Sequence, residues 1–177
     1  SQAEHDKMAS AVLVTDSREL AQAVSREIEN QLQTLEREEI ARASIETNGK
    51  IIVARSLTEA AAVANRIAPE HLELSVDNPF DYLGLIENAG SIFLGRYNPE
   101  PMGDYFAGPN HTLPTMGTAR FYSPLSVDDF IKKSQFSYYT REALERDYRK
   151  VSRFAKEEGL TAHARAVDIR FEKEGEA

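Results

Sequence analysis

No cysteine occurs anywhere in the chain, which excludes a disulfide framework, a thiolate zinc site and a cysteine nucleophile, and fits a reducing compartment. No apolar run approaches membrane-spanning length; the longest, around Ile51-Ile52-Val53-Ala54, is the size of a strand. Positive charge is in short supply. Lys and Arg number 21 against 29 Asp and Glu, giving a formal net charge of −8 with no basic stripe. Phosphate neutralisation needs clustered Lys and Arg, so this balance argues against a nucleic-acid partner. The HExxH pair of zincins, the GxSxG elbow, the Walker loop and GxGxxG are all missing; Gly84, Gly90 and Gly95 make no dinucleotide fingerprint. There are no internal repeats and no low-complexity segments. The chain opens at Ser1 in polar sequence with no initiator methionine and no visible secretory or transit segment, which points to a processed or truncated polypeptide.

What remains is a chain of 177 residues, 41% apolar and 28% charged, long enough for one buried core or a core with an appendage. Ala11 to Thr15 is a β-branched run closed by Asp16-Ser17, a strand feeding a helix cap. Leu20, Val24, Ile28 and Leu32 recur every fourth position and predict one helical face between Arg18 and about Leu35. A second helix is expected from Glu38 to Glu46, then a strand from Lys50 to Ala54. Ser56-Leu57-Thr58-Glu59 is a capping-box signature for an alanine-rich helix that Pro69 terminates. A strand over Leu72 to Val76, a helix from Asn78 to about Asn88 and a strand over Ser91 to Leu94 follow. Alternating strands and helices predict a mostly parallel sheet flanked by helices, with ligands beyond the carboxyl ends of the strands.

Residues 95 to 124 are rich in Gly, Pro and Asn without a lasting period, and their aromatics argue for a functional loop rather than disorder. Beyond it the pattern predicts a helix over Ser126 to Lys132, a short strand or extended piece over Phe136 to Tyr139, and helices from Thr140 to about Glu157 and, capped by Thr161, to about Phe171. The expected organisation is residues 1–124 as the second half of an α/β substrate- and metal-binding domain and 125–177 as a helical tail.

Histidine appears four times only, each time near a carboxylate or carboxamide, the setting of both metal ligation and proton transfer. Gln2 and His5 lie three apart and share a helical face, which suits two ligands of one ion or simply two surface polar groups. Glu70-His71 follows Pro69 at a helix-to-strand junction and can work as an acid and base pair, or be an exposed turn. Asp104 offers a carboxylate for a metal. His111 offers an imidazole for a substrate carboxyl or phosphate, or for loop carbonyls, amid the turn chemistry of Gly108-Pro109-Asn110. Glu158 and His163 flank a glycine break, where a plain helix-surface histidine is the bland alternative. One polar site would use the whole histidine inventory.

Several of these segments together resemble the histidinol dehydrogenase family. The resemblance runs from Asn88 to Gly95, then through Gly103-Asp104-Tyr105, Gly108 to Thr115, Gly117 to Phe121 and Leu125 to Phe130. Ser1 to His5, Pro69 to Leu72 and Glu158 to His163 match further motifs in the same order. The similarity covers the whole chain but only the C-terminal part of the family's length. It implies oxidation of L-histidinol to L-histidine through the aldehyde, with two NAD reduced in succession. It implies zinc held by Gln2, His5, Asp104 and His163, open to substrate; such a ligand set also tolerates manganese or cobalt. Glu70 would activate water at the aldehyde stage and His71 would be the general base. His111 and Glu158 would hold substrate, together with the zinc ligands and His71. The tail would cross to a second protomer of a homodimer and complete its site with Glu158 and His163.

The resemblance assigns no residue of this chain to NAD binding, since that region lies upstream, so the chain alone is expected to be inactive. It also implies a cytoplasmic enzyme with no membrane partner. Two other readings stay open: a metal-assisted hydrolase in which Glu70 activates water, and a non-catalytic fragment that keeps these residues for folding.

Overall fold

A computed structural model describes residues 1–172. The chain divides into two compact units, the first Ser1–Ile131 and the second from Lys132 onward. The first is a mixed α/β unit of short parallel strands flanked by helices. Its strands are β1 (Val12–Thr15), β2 (Lys50–Val53), β3 (His71–Leu74) and β4 (Ser91–Leu94). The expected parallel pairing is present, but as two separate two-stranded sheets. β1 pairs with β2 in the register Val12↔Lys50 to Thr15↔Val53, and β3 with β4 from His71↔Ser91 to Leu74↔Leu94. Two strands of four residues cannot stand alone in water, so both pairs rely on the helices around them.

α1 (Gln2–His5) and the helices α2 (Arg18–Leu32) and α3 (Glu38–Asn48) enclose a small core of Ala3, Leu32 and Ala41, with Ile28 and Ile45 against it. The cap at Ser17 forms as expected, its side chain accepting the Leu20 N–H at 3.1 Å. The predicted stripe on α2 is corrected at its start: Ala21 is buried and Leu20 is exposed. Spacing by fours overshoots a turn by about 40° per step, so a strict i, i+4 row winds off any one face. Ser44 is fully buried, its hydroxyl donating to the Ala9 carbonyl at 2.8 Å.

α4 (Leu57–Ile67) starts with its Ser56 cap made, accepting the Glu59 N–H at 3.2 Å. Glu59, however, reaches one residue beyond the cap, accepting the Arg55 backbone N–H at 2.6 Å and pairing with the Arg55 guanidinium at 2.8 Å. The helix anticipated over Asn78 to Asn88 shrinks to α5 (Phe80–Leu83). Asn65 of α4 accounts for the difference. Its amide donates to the Leu85 carbonyl at 2.7 Å and accepts the Glu87 N–H at 2.8 Å and the Asn88 N–H at 3.2 Å, which holds this stretch as turns. The long loop contains α6 (Glu100–Tyr105) and a 3-10 turn over Thr118–Arg120. Ser126 and Asp129 form a capping box, but on a 3-10 turn, Val127–Phe130, rather than an α-helix.

In the second unit α7 (Arg141–Glu157), capped by Thr140, packs on α8 (Thr161–Asp168). Ser152, Ala155 and Ala164 are buried between them, Tyr148 stacks on Phe171 at 4.4 Å, and the Ser152 hydroxyl donates to Asp168 at 2.8 Å. Thr161 opens α8 without capping it; Leu160 occupies the cap position and offers no side-chain acceptor. Phe136 to Tyr139 joins no strand among the described residues. No helix among the described residues is long and apolar enough to cross a membrane.

The Arg55 hydrogen bonds hold the Glu59 carboxyl down to about 2, against an ordinary 4.5. A folded value below the unfolded one stabilises the fold above about pH 4.5, and that stabilisation is lost as pH falls toward 2. Glu59→Gln is therefore expected to unfold at a lower temperature than the parent chain near neutral pH, with the gap closing on acidification. Thermal unfolding followed by circular dichroism across that window checks it.

Candidate functional site

The end of α4 delivers the chain to the site. Ala68 is fully buried in the left-handed conformation (φ 52°, ψ 62°), and Pro69 then turns the backbone into β3. Glu70 is partly buried at this junction, and its carbonyl accepts the Ser91 N–H at 2.8 Å. A Cβ on Gly90 would stand 2.6 Å from that carbonyl oxygen, so only glycine lets β4 come this close beside Glu70.

His71, the first residue of β3, and Glu73 lie on one side of the strand. α6 folds back over the β3–β4 pair from the carboxyl end. Glu73 accepts the Glu100 backbone N–H at 2.8 Å, which pins the first turn of α6. One turn on, Gly103 sits on the ring of Phe93, where a Cβ would approach to 2.5 Å and 2.8 Å of ring carbons. Phe93 is buried and its ring lies 6.0 Å from that of His71. Glu100 and Asp104, four apart on α6, thus both present carboxylates to His71.

Glu100 Oε1 is 3.8 Å and Asp104 Oδ1 3.9 Å from His71 Nε2; His111 Nδ1 is 3.7 Å from Asp104 Oδ1. These separations exceed hydrogen-bond lengths. His71 Nε2 is buried and has no hydrogen-bond partner. One ligand atom each from His71, Glu100 and Asp104 lies within 4.8 Å of the others, the spacing of donors about 2 Å from a shared cation. The donors are imidazole nitrogen and carboxylate oxygen, a set that suits zinc. Burial, with the neighbouring Asp104 carboxylate, pushes the Glu100 carboxyl above its ordinary 4.5, while His71 and His5 pull the other way.

The remaining candidates are distributed as follows. Gln2 and His5 share α1, anchored by buried Ala3, and His5 is close enough to Glu100 to act on its charge. His111 is mostly exposed, in a loop closed at its base by Asn110, which accepts the Thr112 N–H at 2.6 Å and donates to the Leu125 carbonyl at 3.0 Å. Glu158 caps the C-terminus of α7 and His163 is exposed on α8, both in the second unit. The site lies along the face of β3 rather than beyond the carboxyl ends of the strands, because α6 runs back across them. Sequence reasoning missed Glu100. Its signal was Pro99 followed by two acids four apart, obscured by Pro101 and the surrounding glycines.

An α/β unit with an imidazole flanked by two carboxylates defines a class of protein suited to cation binding and proton transfer. The family model for histidinol dehydrogenase matches residues 1–171. Histidinol dehydrogenase of Bacillus cereus is 59% identical over 174 residues, which is 98% of this chain and 41% of that protein. The Geobacter metallireducens protein of the same name is 59% identical over 177 residues, 100% of this chain and 41% of its own length. A crystal structure of histidinol dehydrogenase from Elizabethkingia anophelis superposes with a TM-score of 0.83 at 39% identity, covering 95% of this chain and 39% of that one. The chain belongs to the histidinol dehydrogenase family, and it spans 41% of the length of these curated relatives.

Gly103→Ala should force α6 off Phe93, since a buried ring cannot swing clear. The expected cost is about 1–3 kcal/mol, with weaker cation binding at Asp104. Urea unfolding and a zinc titration measure the two effects.

Proposed function

We propose that this chain carries the zinc-binding and acid/base residues of a histidinol dehydrogenase, oxidising L-histidinol to L-histidine by way of the aldehyde. The observation that carries this reading is the buried, unpartnered Nε2 of His71 between two carboxylates, in a chain matched by the family model over residues 1–171.

In this reading Gln2, His5, Asp104 and His163 hold zinc, and Asp104 also belongs to the carboxylate–imidazole group described above. Zinc, when bound, supplies Lewis acidity and an anchor for the imidazole and amine of histidinol. His71 accepts the alcohol proton, and the carboxylates that face its Nε2 stabilise the imidazolium that forms. Glu70 takes a proton from the water that adds to the aldehyde. His111 and Glu158 orient the substrate. Two NAD, bound in succession, would supply the acceptor for one hydride each, and no residue of this chain is assigned to NAD binding. The tail of a second protomer contributes Glu158 and His163; exposed Val151, Phe154, Leu160 and Ile169 give the second unit apolar surface for such docking. A biosynthetic role favours the cytoplasm.

The test is histidinol-dependent NADH formation by the full-length polypeptide carrying this sequence. His71→Asn is expected to lower kcat by about 100-fold or more with zinc retained. Asp104→Asn is expected to lose zinc and activity together, read by elemental analysis beside the kinetics. A full-length polypeptide that binds zinc but leaves histidinol unoxidised would refute the reading.

A further inference from the structure

We infer that Glu100 is a positioning residue of this site, holding the His71 imidazole and the Asp104 carboxylate in their working orientation from the first turn of α6. Three observations carry it. The Glu100 side chain is only 12% exposed, although it is a carboxylate in a loop-rich segment, and its Oε1 faces His71 Nε2 at 3.8 Å. Its backbone is fixed independently, by the 2.8 Å bond from its N–H to Glu73, so the side chain starts from a set position. It stands one helical turn before Asp104 on the same face of α6, so both carboxylates face the same His71 Nε2, at 3.8 Å and 3.9 Å.

These contacts place Glu100 where an outer carboxylate orients an imidazole and a ligating carboxylate. His71 Nε2 has no hydrogen-bond partner to fix the plane of its ring. The Phe93 ring limits the imidazole on one side, at 6.0 Å between centroids, and Glu100 and Asp104 limit it at Nε2. Removing Glu100 leaves the imidazole with Asp104 alone, so one carboxylate must then serve both the ring and its own ligand role.

The inference rests on His71 being the general base, and its test separates the two. Glu100→Gln and Glu100→Asp are compared with the parent in the full-length enzyme by steady-state kinetics with histidinol, by zinc content, and by the side-chain nitrogen resonances of His71 at one fixed pH. His71→Gln assigns those resonances. Glu100→Gln is expected to lower kcat about tenfold to 100-fold, leave KM for histidinol within about twofold, keep its zinc and move the His71 resonances. Glu100→Asp, which keeps the charge with a shorter reach, should recover part of the rate. Unchanged kcat with unmoved His71 resonances would overturn the inference. So would loss of zinc in parallel with Asp104→Asn, which would make Glu100 a ligand. If the parent enzyme does not oxidise histidinol, the general-base reading fails, and the resonances alone then decide whether Glu100 orients His71.

Discussion

The seating of α6 on the ring of Phe93 governs the geometry of the first unit's polar site. Without a side chain at Gly103 the helix axis comes within van der Waals reach of the β3–β4 face, and the Glu73 carboxylate fastens its first backbone N–H. From that seat the four-residue spacing of Glu100 and Asp104 is enough to bring two acids onto one histidine. Burial first, and then the neighbouring Asp104 carboxylate, disfavour the charged form of Glu100. The Glu100 carboxyl answers by holding its proton more tightly, and the imidazoles of His71 and His5 oppose that tendency. A small apolar contact thus sets the electrostatics of the groups around it.

The irregular segments are ordered by side chains bonding to backbone rather than by regular ladders. Asn65 fastens residues 85–88 to α4, Asn110 closes the loop that starts at His111, and the Arg120 guanidinium reaches the carbonyls of Gly117 and Arg66. Each bond satisfies a polar group that a helix or strand would otherwise have satisfied. The loop-rich half of the unit therefore has defined positions without long elements.

The four strands, both long helices and the end of α4 at Pro69 were legible in the sequence because each carries a period or a stop signal. Gln2, His5, Glu70, His71, Asp104, His111, Glu158 and His163 stood out by residue type and by family resemblance, and the structure gathers His71, Asp104 and His111 within 4 Å steps. Glu100 was hidden because its helix is short, proline-bearing and set among glycines, so its period never repeats. The shortened α5 was hidden for another reason. Its extent is decided by Asn65, more than a dozen residues away in the chain, and no local pattern registers such a bond. The separation into two strand pairs is equally non-local, since strand residues look alike whichever neighbour they meet.

Ala68 has the left-handed backbone that glycine adopts freely, and alanine bears about 1–2 kcal/mol of strain there. Its methyl group is wholly enclosed, so the residue is held in place by its surroundings. Glycine would ease the strain but would restore a swivel just ahead of Pro69, Glu70 and His71. Alanine, followed by a ring that fixes its own φ, makes this corner a stiff bracket. The direction in which Glu70 and His71 leave the corner is thereby set before any ligand arrives, and little ordering entropy at that point is left for binding to supply.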